Sequence, residues 1–339
     1  MKKFLNILLA VVIIWLVVAV WSLIPSMGSG GWVNGPGDLL PAAGEEFPLT
    51  VTDDLGRLVA IPSRPERIVS LAPSNTEILF ALGLGDRVVG VTAYCDYPEE
   101  AGGKEKVGGY SDIDIEKVIA LDPDLILAED IHKAEVIPAL VRLGYPVVAV
   151  VPHNLEEIVS SVEFIGEITG SEAVSSQIAA RMRLRINAVG EKTALMDEEE
   201  RPKVLYVLWW SEGGIMSVGS NTPIDELISL SGGRSISHYD SDGNETIGWP
   251  TLRLEDIIYT DPDVIIVDLG DGGTSLENVL TDSRLAGVGA ISEGHVYSID
   301  PDFTNRPTPR IVTGLEWLAG LINPGVFPDF YNLYSGAGS

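Results

Sequence analysis

The sequence predicts an α/β fold: two Rossmann-like lobes joined by one long α-helix, preceded by an N-terminal transmembrane helix. Three observations carry this. A block of residues occurs twice, as YSDIDIEKVIALDPDLIL (110–127) and as WPTLRLEDIIYTDPDVII (249–266). Short apolar runs alternate with helix-period segments on both sides of a stretch, 154–200, that has no strand signal. Residues 4–24 form an uncharged apolar run, long enough at 1.5 Å per residue to span a bilayer core of about 30 Å.

Lys2 and Lys3 precede that run, and no basic residue follows until Arg57, so the positive-inside rule puts the body of the protein outside the cytoplasm. The run is longer than the apolar core of about 7–15 residues usual in a signal peptide. Residues 1–24 are therefore expected to be an uncleaved anchor, a cleaved signal being the alternative. The only cysteine is Cys95, which excludes lipid attachment just after the run and any internal disulfide. Residues 25–48, rich in Gly, Pro and Ser, read as a flexible tether.

The N-terminal lobe, 49–152, opens on two alternating runs at 49–61, a hairpin signal. A buried strand is expected at 67–72, a helix at 77–82 capped by the segment from Pro73 and ended by Gly83, and a strand at 88–91. A turn carrying Tyr94, Cys95, Asp96 and Tyr97 leads to the first copy of the repeat. Within each copy an aromatic (Tyr110, Trp249) stands six positions before a glutamate (Glu116, Glu255), and Asp-Pro-Asp follows six positions later. Asp112 and Thr251 stand where N-caps are expected, followed at helical spacing by Ile115, Val118 and Ile119, or by Leu254, Ile257 and Ile258. Proline stops each helix near Leu121 or Thr260, and the apolar run beyond reads as a buried parallel strand. Glu116 and Glu255 fall near the helix starts, on the face away from the apolar stripe. One such glutamate is a dipole-friendly surface residue; two at equivalent places make a matched pair of acidic points, one per lobe. A helix at 136–143 and a strand at 146–151 complete this lobe.

Linking helices occupy 153–200: one at 155–168, and a long one at 171–196 with Ile178, Met182, Leu184, Ile186 and Val189 on its apolar side. About 25 helical residues extend close to 40 Å, the length of a lobe. The C-terminal lobe, 201–322, resumes with a strand at 203–209 and a helix at 219–230. The second copy of the repeat follows, then a strand at 296–299, a loop at 300–309 and a closing helix at 310–321. The Gly-rich segments at 211–214 and 271–273 read as turns. The tail, 323–339, is aromatic and Pro-rich and receives no assignment.

A formal net charge of −27 excludes a nucleic-acid partner, since phosphate binding needs a basic face. In open parallel sheets ligands bind beyond the carboxyl ends of the strands, and loops there carry Tyr94, Tyr110, Trp209, Trp210, Trp249, Phe303 and Arg306. Flat aromatics without acid–base partners suit stacking on an extended, partly apolar ligand. Arg306 adds a charge-assisted contact to a carboxylate, amide or phosphate. His132, His153, His238 and His295 are scattered without metal spacing, and there is no Gly-x-Ser-x-Gly motif or Walker loop. No catalytic residue, metal site or resident cofactor is expected, and the chain reads as a binding protein rather than an enzyme.

Five segments together resemble one family: RIVSLAPSNTEILFALGLGDRVVGVTAYCDYP (67–98), the Glu116 block, the long helix, the Trp249–Glu255 block and PDFTNRPTPR (301–310). It is that of the extracytoplasmic substrate-binding proteins of ABC importers for cobalamin, iron–siderophores and haem. The resemblance covers nearly all of 49–322 and runs closest to the cobalamin-binding branch. It implies that the bridging helix is rigid and that closure on ligand is small. It also implies corrinoid contacts from Tyr94, Tyr110, Met216, Trp249, Asp302, Phe303 and Arg306. Glu116 and Glu255 match the positions that dock on arginines of the two permease subunits. This chain departs from the branch at three positions: Tyr110 replaces a tryptophan, Glu129 stands where another aromatic is found, and Met216 stands near a phenylalanine.

The resemblance thus implies a membrane-tethered receptor that captures a corrinoid outside the cell and delivers it to an ABC permease dimer with its ATPase. The alternative within the class is a ferric siderophore or haem, the latter with Tyr94, Tyr110 or His238 as axial ligand. A chelatase-like enzyme would want clustered histidines and no anchor, the reverse of what the sequence has.

Overall fold

The computed structural model describes residues 47–211, 214–239, 243–270 and 276–337. The predicted anchor, nearly all of the tether and the turn at 271–273 lie outside them. Among the described residues no helix is long and apolar enough to cross a membrane.

Two parallel sheets organise the chain. The first contains β3 (Ile68–Ser70), β4 (Val88–Val91), β5 (Glu105–Lys106), β6 (Leu125–Ala128) and β7 (Val147–Ala149), in the spatial order β5-β4-β3-β6-β7. An antiparallel hairpin, β1 (Leu49–Thr52) with β2 (Leu58–Ile61), precedes it and is tied to β7 where the Asp53 carboxylate accepts from the Ala149 amide at 3.0 Å. The second sheet contains β8 (Lys203–Val207), β11 (Arg234–Ser235), β13 (Val264–Asp268) and β14 (Val296–Ile299), in the order β11-β8-β13-β14. β3, β6, β7 and β13 are buried throughout, as parallel strands covered by helices on both faces must be. A small antiparallel sheet, β12-β10-β9, is built from β9 (Trp209–Ser211), β10 (Gly214–Met216) and β12 (Thr251–Leu252). The strand expected at 203–209 therefore ends at Val207, and the chain turns into a hairpin.

The repeated Asp-Pro-Asp has a structural reason beyond stopping a helix. Asp122 and Asp261 both adopt left-handed backbone, with φ of 47° and 49°. The second aspartate of each motif then reaches the start of the neighbouring strand. Asp124 accepts from the amides of Glu66 and Arg67 at 2.8 and 2.9 Å, and Asp263 from that of Lys203 at 2.7 Å. Each copy thereby satisfies amides at or just before the start of a strand that would otherwise lack partners.

Several helix starts differ from expectation. In the first copy the N-cap is Asp114, not Asp112: its side chain accepts from the Lys117 amide, and the helix runs Ile115–Ala120. In the second the helix is Leu254–Thr260 with Arg253, not Thr251, at the cap. Only Ile257 of its expected stripe is fully buried, and Ile258 is exposed. The helix after β3 begins at Pro73 rather than at 77, because proline's fixed φ suits the first helical position. The tail is structured: helix Pro328–Ala337 packs on helix Ile311–Ile322, with Phe327 buried and Tyr334 set edge-on to Trp317.

The chain passes from the first sheet to the second through helices Leu155–Thr169 and Glu172–Thr193, packed side by side. Asn154 caps the first, and Gly170 ends it in left-handed backbone. Close packing requires glycine at 166, where a Cβ would meet the Ser175 Cβ at 2.3 Å. The first helix touches Pro73–Ala81, and the second touches Pro223–Leu230 and Ile311–Ile322. One apolar cluster runs continuously from Val51 and Ile78 through Ile158, Ile165 and Met182 to Ile228 and Leu318, so both lobes share a core.

Candidate functional site

In each sheet the strand order reverses beside a central strand, the place where loops at the carboxyl ends of open parallel sheets diverge and ligands bind. In the first lobe the reversal falls between β3 and β6. Ser74, just beyond β3, donates to the carboxylate of Glu129, just beyond β6. Tyr110 donates its hydroxyl to the other oxygen of Glu129. The Glu129 amide donates to His132 Nδ1 at 3.1 Å, which leaves Nε2 as the donor to the Tyr110 carbonyl at 2.8 Å. Burial pushes the His132 imidazole below its ordinary range. Burial, with Glu129 beside it, pushes the Tyr110 phenol well above its own.

In the second lobe the reversal lies between β8 and β13, and the chain beyond β8 supplies an apolar ledge. The β9–β10 register pairs Trp209 with Met216, while Trp210 pairs with Ile215 on the inner face. Trp209 and Met216 stay exposed, and Ile215 is 2 % exposed. Because side chains alternate along a strand, a slip of one residue would exchange the two sets. Trp209, Met216 and Trp249 line a cavity of about 400 Å³ together with Pro223, Ile224 and Asn305.

The loop after β14 is held from several sides. Asp300 accepts from the Asp302 amide at 2.9 Å, Asn305 donates to Asp268 at 2.8 Å, and Tyr206 meets Thr304 at 2.9 Å. A Cβ at Gly314 would lie 2.0 Å from the Phe303 carbonyl oxygen, so glycine alone lets the closing helix lie against this loop. Gly314→Ala is expected to cost about 1–3 kcal/mol by overpacking and to weaken ligand binding by displacing the loop, as melting and titration of one preparation would record.

This loop carries the charge cluster that joins the lobes. Arg310 grips Glu77 with two hydrogen bonds of 2.6 and 2.8 Å. Arg306 bonds Glu77 at 3.1 Å, Asp96 at 2.7 Å and Asp302 at 2.8 Å. Glu77 and Asp96 belong to the first lobe, the two arginines to the second, and Glu77 is 3 % exposed. Arg310 also lies 4.0 Å over the Tyr97 ring and 5.0 Å over that of Phe303. The hydrogen bond from Arg306 holds the Asp96 carboxyl below its usual range, against an opposing effect of burial.

The residues expected to meet ligand thus fall into separate groups. Met216 and Trp249 line the cavity, joined by Trp209. Asp302 and Arg306 lie in the ion cluster, where Arg306 is already engaged by three carboxylates. Tyr110 is bound to Glu129, Tyr94 is 59 % exposed, and Phe303 packs on Trp317 with ring centroids 4.4 Å apart instead of lining the cavity. From the sequence alone Glu77 reads as part of a helix cap without a partner, since Arg306 lies 229 positions away. Glu116 and Glu255 are both exposed, each on the helix that precedes a central strand of its own lobe's sheet. Among the described residues no group of three or more His, Cys, Asp or Glu has a metal-holding arrangement.

Comparison with known proteins places these features in context. The family model described as periplasmic binding protein matches residues 68–303. An uncharacterized ABC transporter substrate-binding lipoprotein of Bacillus subtilis (strain 168) is 33% identical over 289 residues, covering 84% of this chain and 88% of that protein. A vitamin B12-binding protein of Vibrio parahaemolyticus is 31% identical over 257 residues, 74% of this chain and 86% of its own. The apo structure of a periplasmic heme-binding protein from Roseiflexus sp. RS-1 superposes with a TM-score of 0.67 at 25% identity, covering 77% of this chain and 99% of that one.

Proposed function

The chain belongs to the periplasmic binding protein family, and on that premise we propose that it captures a corrinoid outside the cytoplasm and delivers it to the permease of an ABC importer. It is a solute-binding protein, not an enzyme, of the group whose cargoes are vitamin B12, haem and iron chelates. The observation that carries the corrinoid reading is the apolar ledge of Trp209, Met216 and Trp249 around the cavity of about 400 Å³, whose lining also includes Thr304 and Asn305, next in the chain to Arg306 of the ion cluster. A ring system with an apolar face and an amide-bearing rim matches that division. The sequence likeness to vitamin B12-binding proteins supports it. We assign stacking to Trp249, edge contacts to Tyr94, Tyr110 and Met216, and polar contacts to Asp302 and Arg306. Phe303 backs the site through Arg310 and Trp317.

The shared apolar core through the paired helices supports a small closure on ligand, with helix Glu172–Thr193 as the stiff link. Residues 1–24 are read as the membrane anchor, or as a cleaved signal. Glu116 and Glu255 are read as the docking points for the two permease subunits.

Haem is the second reading, favoured by the exposure of Tyr94 and by the fold match to a heme-binding protein. Tyr110 is poorly suited as its axial ligand, because a raised phenol pKa opposes the tyrosinate. Titration calorimetry with cyanocobalamin, haem and a ferric hydroxamate separates these readings. Saturable binding of cyanocobalamin alone is expected; binding of haem with a shifted Soret band and no corrinoid binding would overturn the assignment. Trp249→Ala is expected to weaken corrinoid binding by about 1–3 kcal/mol. An unchanged titration would remove Trp249 from the site.

A further inference from the structure

The ion cluster and the Glu129 network have a consequence for which cargo is accepted. Glu77, Asp96 and Asp302 set three carboxylates against the two guanidiniums of Arg306 and Arg310, leaving one surplus negative charge. Glu129 adds another. Its bonded partners are the hydroxyls of Ser74 and Tyr110, and no lysine or arginine pairs with it among the described residues. These carboxylates lie beyond the carboxyl ends of β3, β4, β6 and β14. The direct bonds from Arg306 to Glu77 and Asp96 bring the two strand-end surfaces together across the lobes. A cargo lodged there meets arginines that are already neutralised and carboxylates in excess.

We propose that the cleft selects cargo by charge: it takes a macrocycle whose rim carries carboxamides and rejects the same ring bearing carboxylates, with Asp96 and Glu129 as the selecting residues. This rests on the corrinoid reading above. A carboxamide brings N–H donors to the free acceptor sites of Asp96 and Glu129, whereas an ionised carboxylate only accepts and is repelled. Asp96 is 65% exposed in its side chain, so a cargo can reach its carboxylate. Glu129 stands at the strand-order reversal of the first lobe. By the same repulsion, haem with its two propionates and polyanionic ferric chelates are disfavoured.

The test is equilibrium titration of the full chain with cyanocobalamin and with its derivative in which one rim carboxamide is hydrolysed to the acid. At low salt the acid is expected to bind about tenfold more weakly, and the gap is expected to narrow in 0.5 M salt because screening shortens the reach of the charges to about 4 Å. Glu129→Gln and Asp96→Asn are each expected to narrow it further, the acid gaining relative to the amide. Asp96 is exposed enough that its change does not threaten folding, and Gln at 129 keeps an acceptor for Ser74 or Tyr110. Equal affinity for both forms in the unaltered protein would overturn the charge filter while leaving the corrinoid assignment standing. A gap that survives both substitutions and high salt would also overturn it, since that gap is steric. Binding of neither form would overturn the corrinoid assignment, and the filter with it.

Discussion

Glu77→Ala is expected to destabilise the folded protein by about 3–5 kcal/mol, because it strips the shared partner from two half-buried guanidiniums. Glu77 is 3 % exposed and makes three hydrogen bonds with arginines of the opposite lobe, two from Arg310 and one from Arg306. Removing Glu77 leaves Asp96 and Asp302 to balance the two guanidiniums in formal charge, but Arg310 loses its two short bonds and keeps only one of 3.3 Å to Asp302 in a poorly solvated place. For a chain of this size the loss corresponds to a melting point lower by about 6–15 °C. Pairing the change with Arg310→Ala should recover part of it, since the two residues share one interaction. A single variant melting within about 1 °C of the parent would show that the cluster is not a structural tie. Acid should weaken the same tie. Asp96 is held below the usual aspartate range, so its contribution is present above the unfolded value near 3.8 and is lost as pH falls through the lower folded value. Its exposure keeps that contribution small.

The second large effect is on transport. Replacing Glu116 and Glu255 together by alanine is expected to leave corrinoid affinity unchanged and to abolish uptake in cells whose only copy of the protein is the variant. Both side chains are exposed and stand apart from the cavity-lining residues. Truncating one partner of a buried, hydrogen-bonded interfacial charge pair costs about 2–5 kcal/mol, so losing both proposed docking points is expected to lower affinity for the permease by several orders of magnitude. Each single variant should retain part of the transport. Normal uptake by the double variant would end the docking assignment without touching the binding site.

Much of the fold was legible in the chain because its signals are local. Parallel strands buried on both faces give unbroken apolar runs, as in Val264–Asp268, and proline after aspartate ends a helix wherever it stands. The repeated block gave two similar lobes, and the absence of strand pattern between 154 and 200 gave the helices between them. Helix starts were less legible: Asp112 and Asp114 are both competent caps, and the choice depended on where the preceding loop enters.

The residue sequence by itself determined the two-lobed α/β architecture, the matched glutamates, the acidic character that argues against a nucleic-acid partner, and the set of aromatics from which a ledge could be built. Only the tertiary structure decided which aromatics face the cavity, since the β9–β10 register turns Trp209 and Met216 outward and Trp210 inward. It also decided that Phe303 packs on Trp317, and that Arg306 and Arg310 are consumed by carboxylates across the lobes. Periodicity reports the environment of a segment a few residues long. The partner of a buried charge 229 positions away is fixed by how whole sheets and helices come together, and no local spacing carries that information.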